Sequence, residues 1–475
     1  MREFPGSGRF KNLFLLLVLT ALPLSCGPKP PSLNPPVPPV PSKYEESSLF
    51  EEFVVESGPW WRSFKDPNLD RLVTRLLSQN LDLLEAWARV EEARALLGEK
   101  KAAQFPRIDF TLRGDRQKTV VLAPYFRGGG YITGRFTGSL AASYEVDLWR
   151  KLSRASRAAA LRLLAERENR LALAQTLVAE LVSRYLEGSF LSCELGVLKE
   201  ELAIQRAYVE ALEERYESGL VDPSVVEAER RLLANMEEEL LRLEAEIATR
   251  KQQIALLVGE YPRKSLSFPL CELELPPPPP GLPSNLLLRR PDLRAARARL
   301  LAAAEEVAVA RAARFPQITL TATEGRLSNA LDTLLRRRNR FWELAFALTQ
   351  PLFDAGARKA REQAARARFK ALEASYARAV LQAFFEVENA LLLERKWRER
   401  LNLAKKQKIT ACREEAIKSL RYESGVVTTL DYLKARHFCT ERRRHVFATK
   451  RALLLNRVSL YRALGGDWPG LREGS

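Results

Sequence analysis

Cysteine and histidine are the residues of this chain best suited to metal binding or covalent catalysis, and both are scarce. The 475 residues include five cysteines and two histidines, with no Cys-x-x-Cys pair, so the ligand spacing of zinc and haem sites is missing. The sequence also has no nucleophile elbow, no Walker phosphate loop and no His-Glu-x-x-His motif. We therefore expect a protein that is not an enzyme and that holds no metal or other cofactor.

Cys26 stands apart from the other cysteines because it follows a secretion signal. Basic residues precede an apolar run too short to cross a bilayer, which predicts a signal peptide over residues 1–25. A cysteine directly after the signal indicates a lipoprotein, although Pro23 is unusual there; the alternative is an ordinary signal peptide with an incidental cysteine. We expect a lipid on Cys26 and a Pro-rich tether over residues 26–59. Gly27, in place of an aspartate, indicates sorting to the outer membrane.

Cys412 and Cys439 lie 13 residues before and 14 residues after Gly425. If Gly425 joins two antiparallel helices, these cysteines come close together, and an oxidising compartment would permit a disulfide. Facing helices usually hold their Cα atoms farther apart than a disulfide allows, so we expect the two thiols to remain unpaired.

The same five residues, Arg-Tyr-Glu-Ser-Gly, occur at 215–219 and at 421–425, a shift of 206 positions (421 minus 215). A second match, 104–108 against 314–318, has a shift of 210 (314 minus 104), and a proline run separates the halves. Ordered matches at a nearly constant shift predict a duplicated unit. The predicted segments are a first repeat at 60–262, a Pro-rich linker at 263–283, a second repeat at 284–468 and a tail at 469–475.

Each repeat contains two stretches in which apolar and polar residues alternate. Alternation of this kind predicts strands with one apolar face. It is typical of transmembrane barrel strands and equally of a soluble sheet with one solvated face. The secretion signal and the aromatic residues near the strand ends favour the membrane. The four predicted strands are 108–112, 136–144, 318–322 and 342–348.

Long helices follow the strands. Residues 153–218 and 358–424 contain no proline, and each could form a helix of roughly 100 Å. Gly219 and Gly425 then stand where a helix end favours a left-handed residue. Apolar residues spaced alternately by three and four over 195–216 and 233–257 predict that the first long helix pairs with its returning helix as an antiparallel coiled coil.

These elements predict a mainly α-helical fold with transmembrane β-strands. Four strands cannot close a barrel, for which about eight are needed. Open strand edges are not tolerated in a bilayer. Several chains must therefore share one barrel, and cyclic symmetry would place their helical hairpins side by side as a tube.

Five motifs carry a resemblance to a known family. They are Gly281–Asp292, Ala310–Ile318, Glu145–Trp149, Gln350–Gly356 and Tyr422–Gly425. Together they resemble the outer membrane efflux protein family, TolC/OprM-like, and within it the lipoprotein subgroup often labelled NodT. The resemblance extends from about residue 60 to residue 468.

The resemblance implies a homotrimer in the outer membrane, in contact with its lipids and with a long periplasmic extension. Three chains of four strands would form a 12-stranded β-barrel, and their helices a trimeric α-barrel. The implied partners are a periplasmic adaptor (membrane fusion) protein and an inner-membrane pump, of RND type. The implied function is passive conduction of small molecules in a tripartite efflux system.

Other functions remain open from the sequence. A TolC-like duct can serve type I protein secretion, and a periplasmic coiled-coil structural lipoprotein would share the helical pattern. The net charge of +17 raises nucleic-acid binding as a further class. That charge is spread along mixed Glu/Arg helices without any nucleic-acid-binding motif, so we expect no nucleic-acid partner.

The two helix-hairpin tips are the predicted adaptor-docking site. The alternative is purely structural: a capped turn in which the tyrosines belong to the coiled-coil seam. The candidate docking residues are Arg215, Tyr216, Gly219, Arg421, Tyr422 and Gly425.

The predicted gate lies just beyond the second tip. Leu430 matches a constriction residue of the family, and Lys434 stands four residues later, where many relatives carry aspartate. A ring of Lys434 side chains would repel cations, and Asp431 or Asp222 could pair with it. Alternatively, Lys434 is solvated on an outer face.

Arg336–Arg340 is a basic run in the predicted loop between the second-repeat strands. Such a cluster can contact lipid phosphates, although a solvated loop is the commoner outcome.

Overall fold

The computed structural model describes residues 27–37, 44, 59–120, 130–261, 266–268, 271, 273–277 and 289–466. The signal peptide, Cys26 and the 469–475 tail lie outside the described residues, as does much of the 263–283 linker.

The elements occur twice in the same order. After a short helix α1 (Pro67–Gln79), the first series is α2 (Leu81–Ala102), β1 (Arg107–Val120), β2 (Gly130–Val146), α3 (Lys151–Glu217) and α4 (Pro223–Leu257). The second series is α5 (Pro291–Ala312), β3 (Gln317–Ser328), β4 (Arg340–Thr349), α6 (Ala357–Glu423) and α7 (Thr429–Ala463). Corresponding helices have equal lengths of 22, 67 and 35 residues, so the duplication covers a whole structural unit.

An aspartate starts the long helix of each series. Asp147 accepts hydrogen bonds from the backbone N–H groups of Leu152 at 2.9 Å and Ser153 at 2.7 Å. Asp354 accepts from the N–H groups of Gly356 and Arg358 in the same way. These carboxylates satisfy N–H groups that have no partner within the first helical turn. The sharp change from strand to helix is therefore encoded at the same place in both halves.

The four strands form one antiparallel sheet in the order β1-β2-β3-β4. The register pairs Phe110 with Leu140, Leu140 with Glu324, and Glu324 with Trp342, so even-numbered residues share one face. We call this the apolar face. The opposite, odd-numbered face is rich in Thr and Ser. The predicted strands are confirmed and are longer than the alternation indicated. The exposed apolar side chains of the apolar face include Ile108, Phe110, Leu112, Leu140, Leu344, Phe346 and Leu348.

Within the described residues, no helix is long and apolar enough to cross a membrane.

The chain divides into two compact units. One holds the sheet and consists of residues up to 36, 90–165 and 297–375. The other consists of 37–89, 166–296 and 376–475. The fold is mainly helical with a few antiparallel strands.

An aromatic cluster forms much of the core of the second unit. Trp60, which is 3% exposed, stacks on Tyr461 with ring centroids 5.1 Å apart. The buried Tyr185 hydroxyl donates to Asp66 Oδ2 at 2.6 Å, and the other carboxylate oxygen of Asp66 caps α1 through the N–H of Asn68. A buried polar group with these partners fixes how α1 packs on α3.

The coiled-coil seam predicted between α3 and α4 is confirmed. Its polar position, Gln205, is 3% exposed and donates to Glu229 Oε2 at 2.7 Å, so the seam remains hydrogen-bonded there. The apolar seam contains the buried Leu198, Leu202, Met236 and Leu243, with Leu195, Leu233, Leu240 and Ile247 packed beside them.

The expectation that Cys412 and Cys439 remain unpaired is wrong. The residues are joined as a disulfide between α6 and α7, with a Cα–Cα distance of 4.7 Å. That distance lies inside the range that disulfides require, because the two helices approach unusually closely there.

A second disulfide, which the sequence did not reveal, joins Cys193 of α3 to Cys271 of the linker. The linker around it is fastened to the helices. Tyr461 donates its hydroxyl proton to the carbonyl of Pro276 at 3.1 Å, and Leu275 is 1% exposed. The described part of the linker is therefore packed against the second unit.

Candidate functional site

The first hairpin tip is closed by hydrogen bonds within its own backbone. The N–H of Gly219 donates to the carbonyl of Tyr216 at 2.8 Å, and the N–H of Leu220 donates to that of Arg215 at 2.9 Å. This pair of hydrogen bonds is the Schellman motif that ends many helices. It requires a left-handed residue, and Gly219 has a φ of +70°. Asp222 then caps α4 by accepting from the N–H of Ser224 at 2.8 Å.

The second tip repeats this geometry with different capping residues. Gly425 has a φ of +72°, and its N–H donates to the carbonyl of Tyr422 at 2.9 Å. Thr428 and Asp431 form a reciprocal cap: the N–H of Asp431 donates to the Thr428 hydroxyl at 3.2 Å, and that hydroxyl donates to Asp431 Oδ2 at 2.6 Å. The hydrogen bonds from Thr428 hold the pKa of the Asp431 carboxyl below its usual range.

The tyrosines at both tips are accessible. Tyr216 is 47% exposed and Tyr422 is 40% exposed, although Tyr216 falls on the heptad series. The Tyr422 ring stacks on Tyr432 of α7 at 5.3 Å, which holds its position on the returning helix. Arg421 is exposed and Arg215 is half-buried. The docking candidates therefore gather at two turns, each with an exposed aromatic ring.

Leu430 and Lys434 lie on successive turns at the start of α7. Leu430 is half-buried and Lys434 is exposed. Lys434 lines an open cleft of about 400 Å³ together with His437 of the same helix. The other lining residues are Ile204, Gln205 and Tyr208 of α3, Glu229 and Leu232 of α4, and Leu433.

Neither predicted carboxylate partner of Lys434 is engaged with it. Among the described residues, the structure records no ion pair of Lys434 with Asp222 or Asp431, because both carboxylates cap helix N-termini. The carboxylate that shares the cleft with Lys434 is Glu229. Burial lowers the pKa of His437, despite the opposing effect of nearby carboxylates. At neutral pH the cleft therefore presents a lysine, a carboxylate and an uncharged imidazole.

Sequence reasoning missed Glu229, His437 and Tyr208 as parts of this site. The signal that could have found the cleft is Gln205, the polar residue within an otherwise apolar heptad series. A buried amide needs a polar partner, and that requirement points to Glu229 on the facing helix.

Behind the cleft, α3 and α7 are joined by buried charges. Glu201 is 1% exposed and pairs with Arg444 at 3.3 Å, while Glu194 pairs with Arg451 at 3.2 Å. Burial raises the pKa of Glu201 to about 7, with the nearby Glu441 adding to that effect and Arg444 opposing it.

We expect this glutamate to make hairpin packing depend on pH. Its pKa is raised from 4.5 in the unfolded chain to about 7 in the fold, so protonated Glu201 favours folding. That contribution, up to about 3 kcal/mol, is fully present below pH 4.5 and is lost as the pH rises through 7. Glu201→Gln should therefore lose less stability than wild type between pH 5 and pH 8 in chemical unfolding.

The matched control for that experiment is the neighbouring Glu200. Its side chain is 51% exposed and pairs with Arg443 at 2.7 Å, an arrangement worth about 0–1 kcal/mol. Glu200→Gln should leave the pH profile unchanged. Parallel pH profiles for wild type and Glu201→Gln would contradict a role for Glu201.

Gly27, the first described residue, lies at the end of the sheet from which the long helices leave. A Cβ atom on Gly27 would lie only 2.7 Å from the carbonyl oxygen of Trp149, so the chain passes directly over this turn. Trp149 stacks on Phe315 at 4.9 Å and donates its indole N–H to the carbonyl of Pro316 at 2.7 Å. Cys26, one residue earlier, lies outside the described residues.

Comparisons with known proteins agree with this arrangement of sheet and helices. The family model described as "outer membrane efflux protein" matches residues 72–260 and 282–466. The chain is 30% identical over 478 residues to the pyoverdine export outer membrane protein OpmQ of Pseudomonas aeruginosa, covering 98% of each chain. It is 27% identical to the probable outer membrane lipoprotein SilC of Salmonella typhimurium, covering 96% of this chain and 99% of SilC.

The structure is also similar to that of the outer-membrane channel OprN, with a TM-score of 0.80 and 27% identity. That match covers 93% of this chain and 99% of OprN. A family model that spans most of the chain, a relative of full length and a solved channel of the same fold lead to one conclusion. The chain belongs to the outer membrane efflux protein family and acts as the outer-membrane channel component of an efflux system.

Proposed function

We propose that three copies of this chain form one continuous duct and share a single 12-stranded barrel. The observation that carries this proposal is the sheet order: β1 and β4 are edge strands, each with one neighbour in the described chain. Their unpaired backbone groups would be costly in a bilayer. Pairing β4 of one copy with β1 of the next removes every edge, and three copies of four strands give twelve. The similarity to the OprN channel supports this closure.

We propose that a lipid on Cys26 anchors the chain at the inner surface of the outer membrane. Gly27 lies against Trp149 at the end of the sheet that leads into the helices, which is the periplasmic end in a duct of this kind. A lipid one residue earlier would therefore begin at the membrane surface. The name of SilC as a probable outer membrane lipoprotein supports this proposal.

The partners proposed are a periplasmic adaptor protein and an inner-membrane pump of RND type. The duct conducts small molecules passively, and the tips at Gly219 and Gly425 receive the adaptor. Exposed Tyr216 and Tyr422, with apolar Leu220 and Val426 at 74% and 70% exposure, support tip docking. Apolar and aromatic side chains exposed at a turn are typical of protein interfaces.

Deletion of the gene tests the efflux function. We expect the deletion strain to become more sensitive to at least one class in a panel of antibiotics, metals and dyes, and plasmid-borne wild type to restore resistance. Replacement of Tyr216 and Tyr422 by serine should reduce that rescue while leaving the protein trimeric in the membrane fraction. Unchanged sensitivity of the deletion strain to the whole panel would contradict an efflux role.

We propose that Lys434 contributes to the charge selectivity of the gate. Its exposure on the first turns of α7, four residues after Leu430, supports this placement. Lys434→Asp should shift permeability severalfold towards cations, measured as the reversal potential across a planar bilayer under a KCl gradient.

Arg436→Asp is the matched control, because position 436 lies about 200° around the same helix from position 434. It carries the same change of charge and should leave the reversal potential close to the wild-type value. Equal shifts for the two variants, or none for Lys434→Asp, would contradict a gate position for Lys434.

A further inference from the structure

One end of the apolar face is basic. Arg116 and Lys118 of β1, Arg326 of β3 and Arg340 of β4 all have even numbers, so their side chains leave the sheet on the apolar face. The register places Arg326 opposite Arg340, level with Leu112 and one step beyond the row of Phe110. Arg116 and Lys118 lie two and three steps further towards the same end of the sheet. We call these four residues the basic rim.

The β3–β4 loop lies against the same face. Leu334 is 6% exposed, and its Cδ2 atom lies 3.9 Å from the position of a Cβ on Gly138, so this side chain packs over the strand. Arg326 donates to the carbonyl of Leu335, and Asn339 donates to the carbonyl of Thr333 at 2.7 Å. The loop is thus fastened to the sheet by packing and by hydrogen bonds.

That loop combines apolar and cationic side chains. Leu331 and Leu335 are 60% and 77% exposed, and the exposed arginines of 336–338 follow directly. A segment with leucines beside arginines suits the boundary between acyl chains and lipid headgroups. Full solvation, the commoner outcome for a basic loop, does not explain why its leucines are exposed on the apolar face.

Between the loop and the strands lies an open groove of about 1050 Å³. Arg326 and Arg340 stand at one end of its lining, and Glu324 pairs with Arg340 at 2.6 Å. The remaining lining is mostly apolar and consists of Phe110, Leu112, Gly138, Ser139, Leu140, Gly325, Leu334 and Leu335. The groove therefore offers an apolar channel that ends at two guanidinium groups.

The basic rim lies at the end of the sheet opposite Gly27 and the starts of the long helices. If the sheet spans the outer membrane as proposed above, on which this inference rests, the rim faces the outer leaflet. The rim and the loop residues 331–338 together carry seven cations and one carboxylate, Asp332, and Glu324 of β3 lies beside them. This excess of positive charge beside an apolar groove suits an anionic ligand with an apolar part.

We propose that the groove binds a phosphorylated lipid of the outer leaflet, with an acyl chain along the leucines and a phosphate on Arg326 and Arg340. Arginine binds phosphate through two parallel N–H donors, and the apolar lining excludes water from the acyl chain. Glu324 orients Arg340 without cancelling the charge of the rim. A free anion would use the two arginines and leave the apolar groove uncovered.

The test is native mass spectrometry of the full-length protein in detergent supplemented with bisphosphorylated lipid A or with phosphatidylethanolamine. Wild type should retain lipid A in preference to phosphatidylethanolamine, and Arg326→Gln combined with Arg340→Gln should reduce lipid A retention about tenfold or more. The matched control is Arg113→Gln combined with Arg135→Gln, two exposed arginines on the odd-numbered face, which should retain lipid A as wild type does.

Additional measurements distinguish a lipid site from a free-anion site and from a failure of assembly. Inorganic phosphate in millimolar excess should not displace lipid A, and displacement would overturn a lipid site in favour of a free-anion site. Equal retention by wild type and the double variant would also overturn it. If that variant does not assemble, replacement of the three arginines at 336–338 by glutamine should still reduce retention. The same spectra report oligomer mass, so a trimer without lipid A refutes only this inference, whereas a monomer refutes the proposed duct.

Discussion

Replacing Glu394 with alanine is expected to lower the free energy of unfolding by about 3–5 kcal/mol. Glu394 is fully buried within α6 and forms ion pairs with Arg398 of the same helix and Arg457 of α7, both at 2.8 Å. Removing the carboxylate takes the buried counter-charge from two guanidinium groups whose side chains are only 30% and 15% exposed. The cost arises from losing a fully buried charged partner, so it should exceed that of removing a surface pair.

The control for Glu394 lies on the same helix. Glu399 pairs with Lys396 at 3.1 Å, and both side chains are more than half exposed. Glu399→Ala should change stability by about 0–1 kcal/mol. Guanidinium unfolding in detergent, at one fixed protein concentration because oligomers are stabilised by mass action, provides the comparison. Similar small losses of unfolding free energy for both variants would show that Glu394 does not stabilise the contact between α6 and α7.

The second large effect concerns the disulfide between Cys193 and Cys271. It closes a loop with a sequence separation of 78, and replacing both cysteines with serine should cost about 4–5 kcal/mol in the chain-entropy model. The Cys412–Cys439 disulfide closes a shorter loop with a separation of 27, and its loss should cost about 3–4 kcal/mol. The order of the two effects follows from loop length alone.

Peptide mapping without reductant measures the pairing, and guanidinium unfolding of the two double-serine variants measures its effect. We expect two cross-linked peptides from the protein secreted into an oxidising compartment. Four free thiols would contradict the pairing. A larger loss for the Cys412–Cys439 variant would contradict the loop-length order.

Much of the fold could be predicted because its signals are local. Alternation along β1 and the heptad spacing between α3 and α4 depend on neighbouring residues, and the Phe-Pro steps end α2 and α5 through the missing proline N–H. Corresponding helices have equal lengths because the residues that end them recur at equivalent positions in the two repeats. The boundaries of the tips were fixed by Gly219 and Gly425.

What the sequence did not predict depends on contacts between distant parts of the chain. The partner of Cys193 is 78 residues away, and spacing alone could not identify it. The separation of Cys412 from Cys439 depends on how closely two helices approach, and the general expectation for facing helices was wrong. The prolines predicted a linker between the repeats but not its contacts, and in the described part of the chain Leu275 of this linker is buried.

The candidate site also combines features that local sequence predicts with features that depend on distant contacts. The residues of the tips were recognisable from their repetition, whereas the cleft at Lys434 required the register of three helices. Asp222 and Asp431 were plausible partners for Lys434 because both lie near the helix tips. In the structure both carboxylates instead accept hydrogen bonds at helix N-termini. Glu229, which shares the cleft, comes from a helix of the first repeat and lies some 200 positions from Lys434 (434 minus 229 is 205).

The central proposal is that three chains complete one outer-membrane duct. Its most direct test is the mass of the protein extracted from outer membranes in mild detergent, measured by native mass spectrometry without boiling or cross-linking. We predict a single species of three times the mass of the mature protomer, released only by detergent. A protein of one protomer mass, or one that leaves the membrane fraction without detergent, would contradict the proposed duct.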